Sequence, residues 1–137
     1  MTEHRASCQC GAVQVAAAAD PDFSLVCNCV ACQKKTGTAF GGGAFFKKAD
    51  VQISGDAWKY TRKADTGRDL TNHFCPNCGT TVYWTLEMRP DHVAVGLGSF
   101  DTKAPRPFRV IWAGMKHDWV EFSDDMEILE AASPEPR

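Results

Sequence analysis

Three closely spaced cysteines form the part of the sequence with the clearest chemical potential. Cys27, Cys29 and Cys32 lie within six residues, in the spacing Cys-X-Cys-X-X-Cys. Alternate residues of a β-strand point to one face, so the first two thiols can share a face, and a following turn can return the third to them. Three thiolates suit a tetrahedral soft metal and leave its fourth position open, which is typical of catalytic rather than structural zinc sites.

The other four cysteines form two pairs. Cys8 and Cys10 lie one residue apart near the amino terminus, and Cys75 and Cys78 lie in the segment Cys-Pro-Asn-Cys-Gly. That segment resembles a zinc-ribbon knuckle, in which backbone N–H groups donate to the sulfurs and a glycine with positive φ tightens the turn. A knuckle supplies two ligands, and the first pair can supply two more. The spacing also allows the knuckle to join two of the three central cysteines.

A histidine is an alternative fourth ligand for the three central cysteines, and it would make both sites structural. The candidates are His73 and His117. Seven cysteines is an odd number, so a full set of disulfides would leave one unpaired. No signal-peptide pattern follows the first residues, so we expect a reducing, cytoplasmic compartment in which clustered cysteines bind metal.

The composition argues against two classes of function, nucleic-acid binding and membrane insertion. The chain has 137 residues, 44% hydrophobic and 23% charged, with a formal net charge of −2. These values predict one domain over 1–137. Acidic residues and prolines near the end predict a frayed tail at 130–137, after an ordered core at about 6–129. The chain does not have the excess of basic residues that is typical of a nucleic-acid binder. No apolar run approaches the ~20 residues of a membrane span.

The elements that must position the cysteines read as short strands separated by glycine turns, which indicates a mainly β fold. A short helix is predicted over Val30–Thr36, ended by Gly37. A hairpin is predicted from 51–53 and 58–62, and a helical turn at 116–120. The glycines at 41–43 indicate a β-bulge or a close backbone approach. The remaining predicted strands are 12–17, 23–29, 38–48, 70–74, 80–86, 92–97 and 108–112.

Taken together, the motifs resemble one family. Cys-X-Cys-Gly is followed by Cys-X-Cys-X-X-Cys-Gln-Lys-X-X-Gly, then by Phe-Cys-X-X-Cys-Gly, and 111–119 reads Ile-Trp-Ala-Gly-Met-Lys-His-Asp-Trp. This order is similar to that of the glutathione-dependent formaldehyde-activating enzyme family, which includes centromere protein V. The resemblance covers roughly 6–129, and all seven cysteines fall on motif positions.

The resemblance implies a tent-like arrangement of antiparallel sheets built around two zinc ions, with one or two short helices. It implies a catalytic zinc held by the three central cysteines and a structural zinc held by Cys8, Cys10, Cys75 and Cys78. The implied reaction joins glutathione to formaldehyde, as a carbon–sulfur lyase working in reverse. The sequence departs from the common family pattern at Asn28, where histidine is usual, and at His73.

Substrate contacts are predicted for the residues beside the central cysteines. Lys34, with Gln33, could bind a carboxylate of a peptide-like thiol, although a solvated helix face would have the same composition. Gly42 could let a ligand approach the backbone. The alternatives to the enzyme are a non-catalytic zinc-stabilised binding or scaffold module of the same fold, and a dithiol redox protein using metal-free Cys29 and Cys32. No nucleic-acid or membrane partner is expected, and the sequence does not specify the oligomeric state.

Overall fold

The computed structural model describes residues 3–133, and most of its elements are short strands rich in β-branched and aromatic residues. Its helices are α1 (Val30–Thr36) and the 3₁₀ turns Lys48–Asp50, Leu97–Ser99 and Ala113–Met115. The strands are β1 (His4–Ser7), β2 (Gln14–Ala17), β3 (Phe23–Cys27), β4 (Gly41–Lys47), β5 (Val51–Ser54), β6 (Trp58–Lys63), β7 (Asp69–Phe74), β8 (Thr81–Leu86), β9 (His92–Gly96), β10 (Arg109–Ile111) and β11 (Glu127–Ile128).

The strands form two sheets. One sheet has three strands in the order β1-β2-β5, and the other has eight in the order β11-β10-β3-β4-β9-β8-β7-β6. Strand β10 runs parallel to both its neighbours, and the remaining pairs are antiparallel. The predicted mainly β fold with short helices is therefore confirmed.

Alternation along β4 shows how the large sheet buries both of its faces. Ala44 and Phe46 pack with Val15 and Ala17 of the small sheet, so one face is covered by the other sheet. Phe45 points the opposite way and packs on a second cluster with Trp84. Burying one side chain of this size contributes about 1.5–3 kcal/mol, so both clusters stabilise the sheet. The second cluster adjoins the three central cysteines.

The predicted helix α1 is present and ends where the sequence indicates. Cys29 is its N-cap, with its sulfur accepting the backbone N–H of Cys32 at 3.4 Å. Gly37 ends the helix with a φ of 68°, and its N–H donates to the carbonyl of Gln33 at 2.8 Å. A seven-residue helix is unstable alone, so its position depends on packing. It packs on β4 where Gly41 leaves room for Cys32.

The predicted hairpin is wrong. Strand β5 pairs with β2 in the small sheet, whereas β6 pairs with β7 in the large one. The turn between β5 and β6 therefore connects the small sheet to the large sheet. Gly55 in this turn has a φ of 91°, and a Cβ there would overlap the carbonyl oxygen of Ala12. Strand patterns joined by a glycine turn show that a turn exists, but not which strands it brings together.

The carboxyl-terminal part also differs from expectation. The 3₁₀ turn lies at Ala113–Met115, not at 116–120, and β10 is followed by a further strand, β11. Beyond β11, the carbonyl of Ala131 accepts the backbone N–H of Trp112 at 2.9 Å. These pairings fold the segment back on β10, next to β3 and the central cysteines. Residues 134–137 of the predicted tail lie outside the described residues.

The three glycines of β4 mark a close approach of side chains, and the alternative of a bulge is wrong. Gly42 and Gly43 pair with β3 in regular register. A Cβ at Gly42 would lie 2.6 Å from Leu97, and one at Gly43 would lie 2.6 Å from the ring of Trp84. The glycines therefore let a leucine lie against one face of the strand and an indole against the other.

Gly43→Ala should destabilise the protein, because the new methyl group would displace the Trp84 ring. Overpacking of this kind costs about 1–3 kcal/mol, so we expect an equal fall in the free energy of unfolding measured by urea denaturation. Gly98→Ala is the matched control, since a Cβ there meets no atom within 4 Å. Equal stability of the two variants would contradict the packing described for Gly43.

Candidate functional site

The first cysteine cluster connects the two sheets. Cys8 and Cys10 lie between β1 and β2 of the small sheet, and Cys75 and Cys78 lie between β7 and β8 of the large sheet. The four sulfur atoms lie within 4.8 Å of one another. Cys10 Sγ is 3.6 Å from both Cys8 Sγ and Cys75 Sγ. A tetrahedral zinc with ~2.3 Å bonds would separate its sulfurs by about 3.8 Å, so the cluster fits zinc.

Backbone amides around this cluster favour thiolates. The N–H of Val13 donates to Cys8 Sγ at 3.2 Å, and the N–H of Asn77 donates to Cys75 Sγ at 3.4 Å. The pKa of Cys78 is lowered to about 5, chiefly because the Thr80 hydroxyl donates to its sulfur. The turn therefore has the features expected of a zinc knuckle, and it joins the first cysteine pair rather than the central three.

The second cluster brings together the three central cysteines. Cys27 ends β3, Cys29 caps α1, and Cys32 lies in its first turn. Their sulfur atoms lie within 4.8 Å of one another, and no other cysteine, histidine or carboxylate of residues 3–133 joins them at that distance. The two histidines considered as a fourth ligand lie elsewhere: the ring of His73 stacks on Tyr83, and that of His117 on Trp119.

Hydrogen bonding among the three central thiols shifts the pKa values of Cys27 and Cys29 in opposite directions. Hydrogen bonds from Cys27 and then Cys32 hold the pKa of Cys29 well below its ordinary value. The same interaction, with burial, raises the pKa of Cys27. A thiolate on Cys29 is therefore stabilised by its neighbours even before a metal binds. Because the thiolate is the form that ligates zinc, the cluster suits a soft cation.

Asn28 and Gln33 hold the segment in place. Asn28 is fully buried, and its Nδ2 donates to the carbonyl of Ile111 at 3.1 Å. Gln33 Nε2 donates to the carbonyls of Asn28 at 2.8 Å and Met115 at 3.2 Å. Both side chains bind backbone on the carboxyl-terminal segment. The structure thus gives Gln33 a positioning role, and substrate binding by Gln33 stays a prediction.

A pocket of about 390 Å³ opens over the central cysteines. Along β3 its floor is formed by Phe23, Leu25 and Cys27, which alternate with residues facing the other way. Gly42, predicted to contact a ligand, is among its lining residues. Most of the remaining wall is apolar and comprises Val30, Phe45, Leu70, Trp84, Leu86, Met88 and Met115. Because Cys27 is the last residue of β3, the cysteine cluster lies at one end of this largely apolar cavity.

Three cations line this pocket. Lys35 Nζ lies 3.3 Å from the centroid of the Trp84 ring, and the Arg89 guanidinium lies 4.7 Å from that of Phe23. Arg62 is the third. Burial lowers the pKa of Lys35. None of the salt bridges found among residues 3–133 involves these three side chains, and the carboxylate of Asp65 lines the same pocket.

Sequence reasoning chose Lys34 as the ligand-binding lysine, but that residue is exposed and absent from the pocket lining. A contact between Lys34 and substrate stays a prediction, while Lys35 is the lysine that lines the cavity. Helix geometry could have identified it, because residues three apart share a helix face and Lys35 follows Cys32 at that spacing. Arg62 and Arg89 come from distant strands and loops, and no sequence signal marks them.

Trp112 is a further feature of the pocket wall. Its φ of 54° is the only positive value at a non-glycine residue within 3–133. A bulky side chain in this conformation costs about 1–3 kcal/mol and persists only where its surroundings impose it. Here the backbone N–H of Trp112 donates a hydrogen bond to the carbonyl of Ala131, and the preceding residue, Ile111, pairs with Cys27 in the sheet. The strain therefore lies directly beside the cysteine cluster.

Comparison with known proteins gives the family. Residues 3–120 match the family model described as glutathione-dependent formaldehyde-activating enzyme. The chain belongs to this family. All seven cysteines lie within the matched region, so both clusters of this family member are covered by the match. The two clusters could each hold a metal ion, consistent with zinc in this family.

The fold of this family member also has a solved counterpart. A crystal structure of a Rhodobacter sphaeroides protein matches it with a TM-score of 0.55 at 19% sequence identity. The match covers 74% of this chain and 92% of the Rhodobacter chain, and at this identity it supports the fold alone. No curated protein matches the sequence. Within the described residues, no helix is long and apolar enough to cross a membrane.

Proposed function

We propose that this family member is a zinc-dependent, carbon–sulfur lyase-like enzyme that adds glutathione, or a similar small thiol, to formaldehyde or a related small electrophile. One observation gives the main support for this proposal. Three sulfur atoms meet at the end of an open pocket, and no fourth ligand group from residues 3–133 joins them. In this proposal Cys27, Cys29 and Cys32 hold a catalytic zinc, and the four-cysteine cluster holds a structural one.

Zinc bound at the three cysteines would supply an open ligand position and lower the pKa of a thiol that occupies it. The side chains around the cysteines would contribute positive charge. Lys35 and Arg62 place positive charge near the cysteines, since they favour the thiolates of Cys32 and Cys29 respectively. Most of the remaining pocket wall is apolar. The new bond joins the thiol sulfur to the carbonyl carbon, and the thiol proton ends on the carbonyl oxygen.

The cations also suit the thiol itself. Glutathione carries carboxylates, and Lys35, Arg62 and Arg89 place positive charge in the pocket lining. Because Lys35 lines the cavity, we propose Lys35 as a contact for a thiol carboxylate, beside the contact that the sequence predicts for Lys34. A cytoplasmic location belongs to the proposal as well, because all seven cysteines are free thiols that a reducing compartment would preserve.

Lys35→Ala should weaken glutathione binding to the zinc-loaded protein by roughly fivefold to tenfold, as expected for loss of a partly buried charge-assisted contact. Isothermal titration calorimetry measures the change. Lys34→Ala is the matched control, since it removes the same charge from the exposed helix face, and we expect less than roughly a twofold effect. Equal weakening by the two variants would show that only the general positive potential matters.

Cobalt substitution tests whether the cluster takes up a thiol. Thiolate ligation to cobalt gives an intense charge-transfer absorption, so glutathione should strengthen that band when cobalt occupies the three-cysteine cluster. S-Methylglutathione has the same carboxylates but no thiol proton to lose, and should leave the band unchanged. Equal responses to both compounds, or no response to either, would contradict the proposed function and favour a non-catalytic binding module.

A further inference from the structure

The last described residues of the chain form part of the pocket wall. Ala132 and Ser133 line the cavity beside Trp112, and they lie beyond residue 120, where the family match ends. We call residues 129–133 the strap, because its carbonyl groups accept backbone N–H groups from the turn that follows β10. None of the strap residues belongs to the hydrophobic clusters found within residues 3–133, so the strap adds little to the core.

Backbone and side-chain hydrogen bonds hold the strap in a defined position. The N–H of Gly114 donates to the carbonyl of Glu130 at 3.2 Å, and a Cβ at Gly114 would lie only 3.2 Å from that oxygen. The side chain of Arg109 is 13% exposed, and its Nη1 donates to Ser133 Oγ at 2.7 Å. The strap therefore packs closely on the turn and on the side chain of β10 beneath it.

One peptide group connects the strap to the cysteine cluster. The N–H of Trp112 donates to the carbonyl of Ala131 at 2.9 Å, and the carbonyl of Ile111 belongs to the same planar peptide group. That carbonyl accepts both the backbone N–H and Nδ2 of Asn28, each at 3.1 Å. Asn28 is fully buried and lies between the first two cysteines of the cluster. Rotation of this peptide group would therefore displace the loop that carries two of the three sulfurs.

The conformation of Trp112 explains why this peptide group needs support. Its φ of 54° is strained for a tryptophan, and such a conformation persists only where neighbouring contacts impose it. Without the bond to Ala131, Trp112 would relax toward negative φ. The peptide group that faces Asn28 would then lose one of the two contacts that fix its orientation.

We propose that the strap is a positioning element of the three-cysteine cluster and acts through the peptide group between Ile111 and Trp112. It holds Trp112 at positive φ and thereby keeps Asn28, with the cysteines on either side of it, in place to bind a metal ion. Because Ala132 and Ser133 also line the cavity, the same segment shapes the pocket and supports its metal ligands. The inference rests on the proposed function in one respect, that the three cysteines bind a metal ion.

Removal of the strap tests this role. Cobalt is titrated into protein whose four-cysteine cluster holds zinc, and the thiolate charge-transfer band reports binding at the three-cysteine cluster. A chain truncated after Ile128 should bind cobalt at least roughly fivefold more weakly, because the strained conformation is no longer imposed. The matched control is a chain truncated after Ser133, which keeps every strap contact described above and should retain the wild-type affinity. Equal affinities of the two truncated chains would overturn the inference.

NMR spectra show whether the strap acts on the cluster or on the whole fold. The amide resonances of β1, β2 and β5 should be unchanged in both truncated chains, since the strap lies outside the hydrophobic clusters. Loss of these resonances in the chain truncated after Ile128 would indicate a general role in folding and would overturn the positioning role.

Substitutions at Trp112 separate the effect of backbone conformation from that of lost packing. Trp112→Ala and Trp112→Gly remove the same indole, but glycine, unlike alanine, adopts positive φ freely. Truncation after Ile128 should therefore weaken cobalt binding at least roughly fivefold in the alanine background and less than roughly twofold in the glycine background. Equal weakening in the two backgrounds would overturn the inference. Failure of the full-length wild-type protein to bind cobalt at the three cysteines would instead overturn the proposed function.

Discussion

Cys75→Ala will unfold the protein. Cys75 is 1% exposed, and its sulfur lies in the cluster that joins the two sheets. Structural zinc sites in small peptides contribute ~10–16 kcal/mol at neutral pH, which equals or exceeds the whole stability of a typical domain. We therefore expect less than one zinc per chain at this cluster and loss of dispersed amide signals in the NMR spectrum.

The alanine side chain adds no bulk, so unfolding of Cys75→Ala would reflect the lost ligand and not a steric clash. Addition of chelator to the wild-type protein should give the same collapsed spectrum, because it removes the same metal without changing the sequence. A Cys75→Ala protein with a native spectrum and an unfolding midpoint close to the wild-type value would contradict a structural role for this cluster.

Cys29→Ala will leave the protein folded but remove the proposed activity. The sulfur of Cys29 is one of three in the pocket cluster, so its loss leaves two ligands and no stable zinc site. The residue is only partly buried and caps a short helix, whose loss of a cap costs about 0.5–2 kcal/mol. We expect a fall of at least roughly a thousandfold in kcat/KM, since the group that activates the thiol is absent.

Metal analysis and urea denaturation distinguish this outcome from general damage. Cys29→Ala should retain one zinc per chain, at the four-cysteine cluster, and a dispersed NMR spectrum. Val30→Ala, at an exposed neighbouring position, is the control and should keep both zinc ions. If Cys29→Ala unfolds as fully as Cys75→Ala, the pocket cluster is structural too and the division of roles between the clusters is wrong.

Local patterns explain why the cysteine-bearing elements could be predicted. Strand alternation placed Cys27 on the pocket face of β3, and Gly37 marked the end of α1. The mainly β class followed from short apolar runs between glycine turns. The grouping of the cysteines needed the family resemblance, because spacing alone allowed the knuckle of Cys75 and Cys78 to join two of the central cysteines.

Contacts between distant segments explain what the sequence did not reveal. The pairing of β5 with β2 depends on the stacking of two sheets, which no local turn pattern encodes. The strand β11 has two residues and exists because β10 offers it a free edge. The pocket wall combines Phe23 with Leu70 and Leu86 across non-consecutive strands. The composition of this wall therefore becomes visible only in the folded chain.

X-ray absorption at the zinc edge tests the central claim, that the three-cysteine cluster holds a zinc with a position open to a thiol. Protein with two zinc ions per chain should show an average of about 3.5 sulfur ligands per zinc, the mean of four and three, with the remainder nitrogen or oxygen. Glutathione should raise the average to about 4, and S-methylglutathione should not. An average of 4 before any thiol is added, or no change with glutathione, would contradict the claim.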